Sequence, residues 1–136
     1  MPGKIAMVSL FALFALLISC TRHAEETNNT STVSNGSWRV NHYMEKGIDE
    51  TGDFSGYTFT FSANGVATAT KGSINKNGTW SISSNKFNLN MGTNDNTNKP
   101  FGKLTDDWII TTINETVISL LDDNPARDGM LIFTRD

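Results

Sequence analysis

The chain has 136 residues, with eleven basic and fourteen acidic side chains and a formal net charge of −3. It holds no Lys/Arg cluster, which argues against nucleic acid and against an anionic membrane surface as direct partners. A single cysteine, Cys20, leaves no disulfide to staple a fold. Thr, Asn, Ser and Gly set between short runs of Val, Ile, Phe and Trp favour strands over helices.

Lys4 precedes an almost wholly apolar run from Ile5 to Ile18, and Leu17-Ile18-Ser19 leads into Cys20. A charged start, an apolar core of about 7–15 residues and a small-residue cleavage position describe a secretory signal peptide. A spanning helix needs about 20 apolar residues, more than this run supplies, so an uncleaved anchor fits less well. Cleavage at an ordinary site, with Cys20 incidental, is the other alternative. The thiol at the end of the run resembles the lipobox of bacterial lipoproteins. That resemblance implies removal of residues 1–19 and two or three acyl chains on Cys20. Each buried CH₂ contributes about 0.8 kcal/mol to membrane attachment, so anchoring would be permanent. Thr21, rather than Asp, follows the cysteine; by the usual sorting rule this implies the outer membrane, with the periplasmic or surface face left open. Glu25-Glu26 also resembles, loosely, an acidic surface-export signal, and reads equally as a solvated pair.

Without Lys4 the mature chain keeps ten basic residues against fourteen acidic ones, a net charge near −4. Residues 20–35 offer almost no apolar side chains and are expected to be a flexible, lipidated tether. Residues 36–136 are expected to be one domain. Trp38–Glu45 reads as its first strand. Tyr57-Thr58-Phe59-Thr60-Phe61 and Val66–Thr70 alternate on either side of Asn64-Gly65, a strong hairpin signal. A two-residue turn there would pair Phe61 with Thr68 and Phe59 with Thr70. Trp80 and Ile82 alternate with polar residues in Thr79–Ser83, as do Phe87, Leu89 and Met91 in the next run. Residues 92–100 form a polar loop. Trp108–Ile113 and Thr116–Leu121 flank a second tight turn at Asn114-Glu115, and Met130–Arg135 closes the chain. No stretch shows a convincing helical repeat. About eight short antiparallel strands predict an all-β, up-and-down barrel, closed so that no edge is left free, with a two-sheet sandwich as the alternative.

Gly36-Ser37-Trp38 at the start of the first strand resembles the Gly-x-Trp signature of lipocalins. Residues 36–136 are similar to the small lipocalin-like domains of Bacteroidota lipoproteins, through Asp53–Phe61 with its Asn-Gly turn, Gly78-Thr79-Trp80 and Asp107-Trp108. The resemblance implies an eight-stranded barrel in which an Arg of the last strand, here Arg135, packs across Trp38. Tyr57, Phe59, Phe61, Trp80, Ile82, Phe87, Leu89 and Trp108 are the candidate inward residues, able to line a ligand cavity or simply to fill a barrel of this size.

Little else carries chemistry. Asp122, Asp123, Asn124 and Asp128 lack EF-hand spacing, since Ala126 and Arg127 fall where a ligand and a glycine belong. They read as a solvated loop, and Asp49, Glu50 and Asp53 read the same way. His42 has no second histidine in the domain, because His23 lies in the expected tether. No catalytic constellation, metal or cofactor is expected. The expected function is a membrane-anchored binding module for a small apolar ligand or a surface partner. The alternative is a filled barrel that docks on an outer-membrane protein or inhibits an enzyme.

Overall fold

The computed structural model describes residues 21–136; the expected signal peptide and the lipidation expected at Cys20 lie outside the described residues. The strands are β1 (Trp38–Glu45), β2 (Ile48–Asp49), β3 (Thr58–Phe61), β4 (Val66–Lys71), β5 (Ile74–Ser83), β6 (Lys86–Asn90), β7 (Asp106–Ile113), β8 (Val117–Leu121) and β9 (Met130–Arg135). All pairings are antiparallel and run between neighbours, and β1 also pairs β9 from Trp38↔Arg135 to Met44↔Met130. That last ladder closes an eight-stranded up-and-down barrel; β2 is a two-residue flap on the end of β1. The β1–β3 seam is the thinnest, a single pair at Trp38↔Phe59, with β2 covering the far end of β1.

The period-two pattern of the sequence becomes the inner wall. Phe59 and Phe61 on β3, Trp80 on β5, Phe87 and Leu89 on β6, Trp108 on β7, Ile118 and Leu120 on β8, and Leu131 and Phe133 on β9 are all buried in one core. Phe61 sits in the middle of an aromatic cluster. Its ring meets Trp80, Phe87 and Phe133 edge-on at centroid separations of 5.6, 5.4 and 5.5 Å. Such pairs add about 0.5–1.5 kcal/mol each beyond their area.

The β3–β4 register corrects one expectation. Phe61 pairs Ala67 and Phe59 pairs Ala69, not Thr68 and Thr70. The loop has three residues rather than two: Ser62 N donates to Val66 O, and Gly65 N, at φ +90°, donates to Ser62 O. This is a type I turn followed by a left-handed residue. The one-residue shift puts the small alanines inward, where they make room for two phenyl rings, and turns the threonines out. The second hairpin shifts similarly, with Asn114 N bonded to Val117 O so that Glu115-Thr116 forms its tip.

The expectation of a flexible tether over 20–35, and of no helix, is also corrected. Residues 21–33 form a helix, α1. Thr and Asn are poor helix formers, so propensity does not explain it; docking does. Val33 is fully buried in the barrel core. Trp38 Nε1 donates to Val33 O at 2.9 Å, and Arg135 Nη2 donates to Thr32 O at 3.0 Å. Two carbonyls at the helix C-terminus thereby gain side-chain donors, one of them from a cation that the helix dipole favours there.

Candidate functional site

An up-and-down barrel collects alternate turns at each end. One end gathers the β2–β3 connection, the 92–105 segment and the β8–β9 loop. It is plugged by side chains from two 3-10 turns, Thr51–Phe54 and Phe101–Leu104. Phe54 packs edge-on against Tyr43 at 5.4 Å, and Phe101 against Tyr57 at 5.2 Å. Lys103 clasps the plug to the facing turn, its Nζ lying 2.5 Å from Glu50 and 3.1 Å from Asp53. The bond to Glu50 is the main reason the Lys103 pKa is raised. Tyr43 donates its hydroxyl to Glu45 and to the Lys103 carbonyl, and burial foremost pushes its phenol pKa upward.

The other end gathers the β3–β4, β5–β6 and β7–β8 turns around Trp38 and Arg135, and α1 lies across it. The Arg135 guanidinium carbon sits 4.2 Å from the centre of the Trp38 ring, a contact worth about 0.5–2 kcal/mol. Gly36 leads into it with φ +86°, and a Cβ there would come within 2.7 Å of Arg135 Nη1. Toward its N-terminal half α1 touches the rim through Glu26, whose carboxylate accepts from Ser84 N in the β5–β6 turn. Between these two attachments a cleft of about 620 Å³ opens under the helix. Its helical wall is Arg22, Glu25, Glu26 and Asn29, and the opposite wall is Ser84, Asn85 and residues 110–113. Ile110 and Ile113 pair with the inward residues Leu120 and Ile118 and pack on the core, yet stay only half-buried where they line the cleft. On the other flank of α1, Thr30, Trp80 and Ile82 line a smaller cleft of about 300 Å³.

The eight inward candidates divide accordingly. Tyr57, Phe59, Phe61, Trp80, Phe87, Leu89 and Trp108 are buried against one another or against the plug, and Ile82 stands half-buried at the mouth. Sequence reasoning missed α1 and the mouth. The signal was faint: Glu26, Asn29, Thr30 and Val33 share the shielded face at helical spacing, but only Val33 is apolar.

The acidic groups resolve into two rim clusters at the plugged end. Asp106 on β7 meets Asp122 and Asp123 with carboxylate oxygens within 4.8 Å of one another. Arg127 Nη1 lies 3.7 Å from Asp106, and Lys86 Nζ lies 3.4 Å from Asp123. Burial, then the charges of Asp122 and Asp123, raise the Asp106 pKa. Asn124 turns its side-chain oxygen to Ala126 N, and Asp128 adopts a left-handed conformation at φ +46°. In the second cluster Glu50 and Asp53 are taken by Lys103, while Asp49 accepts from Thr51 N and Oγ1, which lowers its pKa. His42 lies half-buried, with Nδ1 3.9 Å from Asp49.

No protein-family model matches the sequence, and no curated protein matches it. Solved structures do share its backbone. A DUF4847 family protein from Bacteroides vulgatus superposes with a TM-score of 0.57 at 16% identity, covering 76% of this chain and 94% of that one. A lipocalin-like protein from Bacteroides uniformis gives 0.55 at 14% identity, over 77% and 99% of the two chains. A protein from Burkholderia xenovorans gives 0.51 at 18% identity, over 80% and 87%. At such identities the shared property is the fold, and this chain has the lipocalin-like barrel fold of those Bacteroides proteins.

Proposed function

We propose that this protein is a non-catalytic binding module, held at the outer membrane through acyl chains on Cys20, which takes its ligand at the helix-covered mouth of the barrel rather than in its interior. A lipocalin-like fold supports a binding role only as an analogy. The observation that carries the reading is the contrast in packing along the barrel axis. Phe61, Trp80, Phe87 and Phe133 fill the middle against one another, whereas aliphatic surface from Ile110 and Ile113 is left facing a cleft. Its volume falls in the range of about 300–1,000 Å³ usual for small-molecule sites, where an apolar floor combines with a few polar groups.

Two measurements test the reading. Cys20→Ser should move the folded protein from the membrane fraction to the soluble one; continued retention overturns the anchor. Titrating that soluble protein with decanol should move amide resonances of 84–85 and 110–113, and Ile113→Asp should abolish the effect. Shifts centred on Phe61 and Phe87 would return the site to the interior. An absence of binding would favour the filled-barrel accessory that docks on a membrane protein.

A further inference from the structure

Among the described residues, two charged side chains of the mouth make no hydrogen bond or ion pair to the barrel. Arg22 and Glu25 both line the cleft from α1, three residues apart and thus neighbours on one helix face. Both are exposed, and neither is bonded to the barrel. Glu26, by contrast, is engaged by the Ser84 amide. The cleft therefore presents one exposed cation and, beside it, one exposed carboxylate at its rim above an aliphatic floor. A purely apolar ligand would leave both charges unused, and a singly charged amphiphile would be repelled by one of them.

From this arrangement we infer that the mouth cleft binds an amphiphile with a zwitterionic, phosphate-and-primary-amine headgroup. The Arg22 guanidinium takes the phosphate, the Glu25 carboxylate takes the ammonium, and the first part of an acyl chain lies on Ile110 and Ile113. Arginine matches the planar, multi-donor geometry that a phosphate asks for. A primary ammonium, unlike a quaternary one, can donate hydrogen bonds to Glu25. The mature chain's net charge near −4 also disfavours a ligand of net negative charge. The inference rests on the mouth cleft being the binding site. With the proposed acyl anchor on Cys20, one residue before Thr21 in the sequence, the cleft would sit beside the membrane surface that presents such headgroups, so the source proposed is membrane phospholipid.

The test uses the soluble Cys20→Ser chain and monomeric dihexanoyl phospholipids below their micelle concentrations, followed by amide chemical shifts. Phosphatidylethanolamine should bind saturably and move residues 22–29, 84–85 and 110–113, with phosphatidylcholine and phosphatidylglycerol weaker. Each of Arg22→Gln and Glu25→Gln should weaken phosphatidylethanolamine about tenfold, as the loss of one charge-assisted hydrogen bond implies, and leave decanol binding unchanged. Neither residue is bonded to the barrel, so both variants are expected to fold. Free phosphoethanolamine binding as tightly as the lipid would reassign the source to a soluble metabolite. If all three lipids bind alike and the two variants change nothing, the headgroup assignment is overturned while the cleft stands on its decanol response. If neither lipid nor decanol binds, or shifts scatter over the outer wall, the cleft and the headgroup fall together.

Discussion

The two ends of the barrel are closed by different kinds of chemistry. At the plugged end, Phe54, Tyr57, Phe101 and Leu104 are buried, and an ion-paired lysine ties the two plug turns together. At the mouth, a polar helix is attached by its last turn and by one carboxylate, and beneath it Ile82, Ile110 and Ile113 are only half-buried. Apolar burial contributes about 25 cal/mol per Å², so the plugged end carries far more of the closing free energy. The contrast predicts that the mouth opens more readily than the plugged end. Sites that admit ligands are drawn from such low-stability regions.

The most direct way to break this contrast is to truncate one side chain at each end. Phe101→Ala removes a nearly buried ring and its edge-on contact with Tyr57. It should cost about 3–5 kcal/mol in denaturant unfolding, the usual range for a large aromatic replaced by alanine. Ile113→Ala, half-buried at the mouth, should cost only about 1 kcal/mol from lost apolar area. Equal losses would show that the mouth is packed as tightly as the plug, and the functional reading would lose its main support.

The strand framework was legible because inward and outward residues alternate so cleanly. Trp38–Glu45 and Met130–Arg135 have the expected bounds, and closure followed from the succession of tight hairpins. What stayed hidden depends on geometry that letters do not carry. The β3–β4 register turned on whether the loop held two residues or three, and Asn-Gly is compatible with both. The helix over 21–33 lacks an apolar stripe; it forms because Trp38 and Arg135 supply donors to its last carbonyls, and those donors come from distant parts of the chain. The two Gly-x-Trp triplets show the same limit. Gly36 is required by its positive φ and the nearby guanidinium, whereas Gly78 lies within β5 where a Cβ would meet the Asn90 carbonyl at 2.2 Å. Identical spelling serves two different needs, and the mouth cleft, assembled from α1 and two barrel segments, has no linear signature at all.

A second pair of changes sharpens how the mouth is held. Gly36→Ala forces an L-residue to φ +86° and pushes a methyl group at Arg135. It should cost about 1–3 kcal/mol, as other strained left-handed residues do, read as a lower denaturation midpoint. Arg135→Gln is expected to be milder globally, about 1 kcal/mol, because it removes the ring contact with Trp38 and the bond to Thr32 while leaving Val33 buried. Its distinguishing effect should be local. Amide exchange should accelerate across 26–33 while β3 to β6 keep their protection. Uniform acceleration would mean that helix and barrel open as one unit, and the distinction between the two ends would fail.

The smallest expected effect has the opposite sign and belongs to the plugged end. Asp106 is partly buried beside Asp122 and Asp123, with Arg127 as its nearest cation and Lys86 turned to Asp123. Its folded-state pKa is raised, by burial first and by the two carboxylates next. A carboxyl whose pKa is higher when folded binds more protons in the native state. Stability therefore falls as pH rises through the unfolded value of 3.8 toward the folded one. At neutral pH the ionised Asp106 is a net cost that its exposed partner Arg127 offsets only in part, since such pairs contribute about 0–1 kcal/mol. Asp106→Asn keeps an acceptor for the Asp107 amide that the native carboxylate holds at 2.8 Å. It should stabilise the protein at pH 7 by about half a kcal/mol or less, and that gain should vanish below pH 3.8, where the native carboxyl is neutral as well. Paired denaturant melts at the two pH values measure it. A loss of stability at pH 7 would mean that Asp106 and Arg127 form a stabilising pair, and that the plugged end is held by electrostatics as well as by its aromatic side chains.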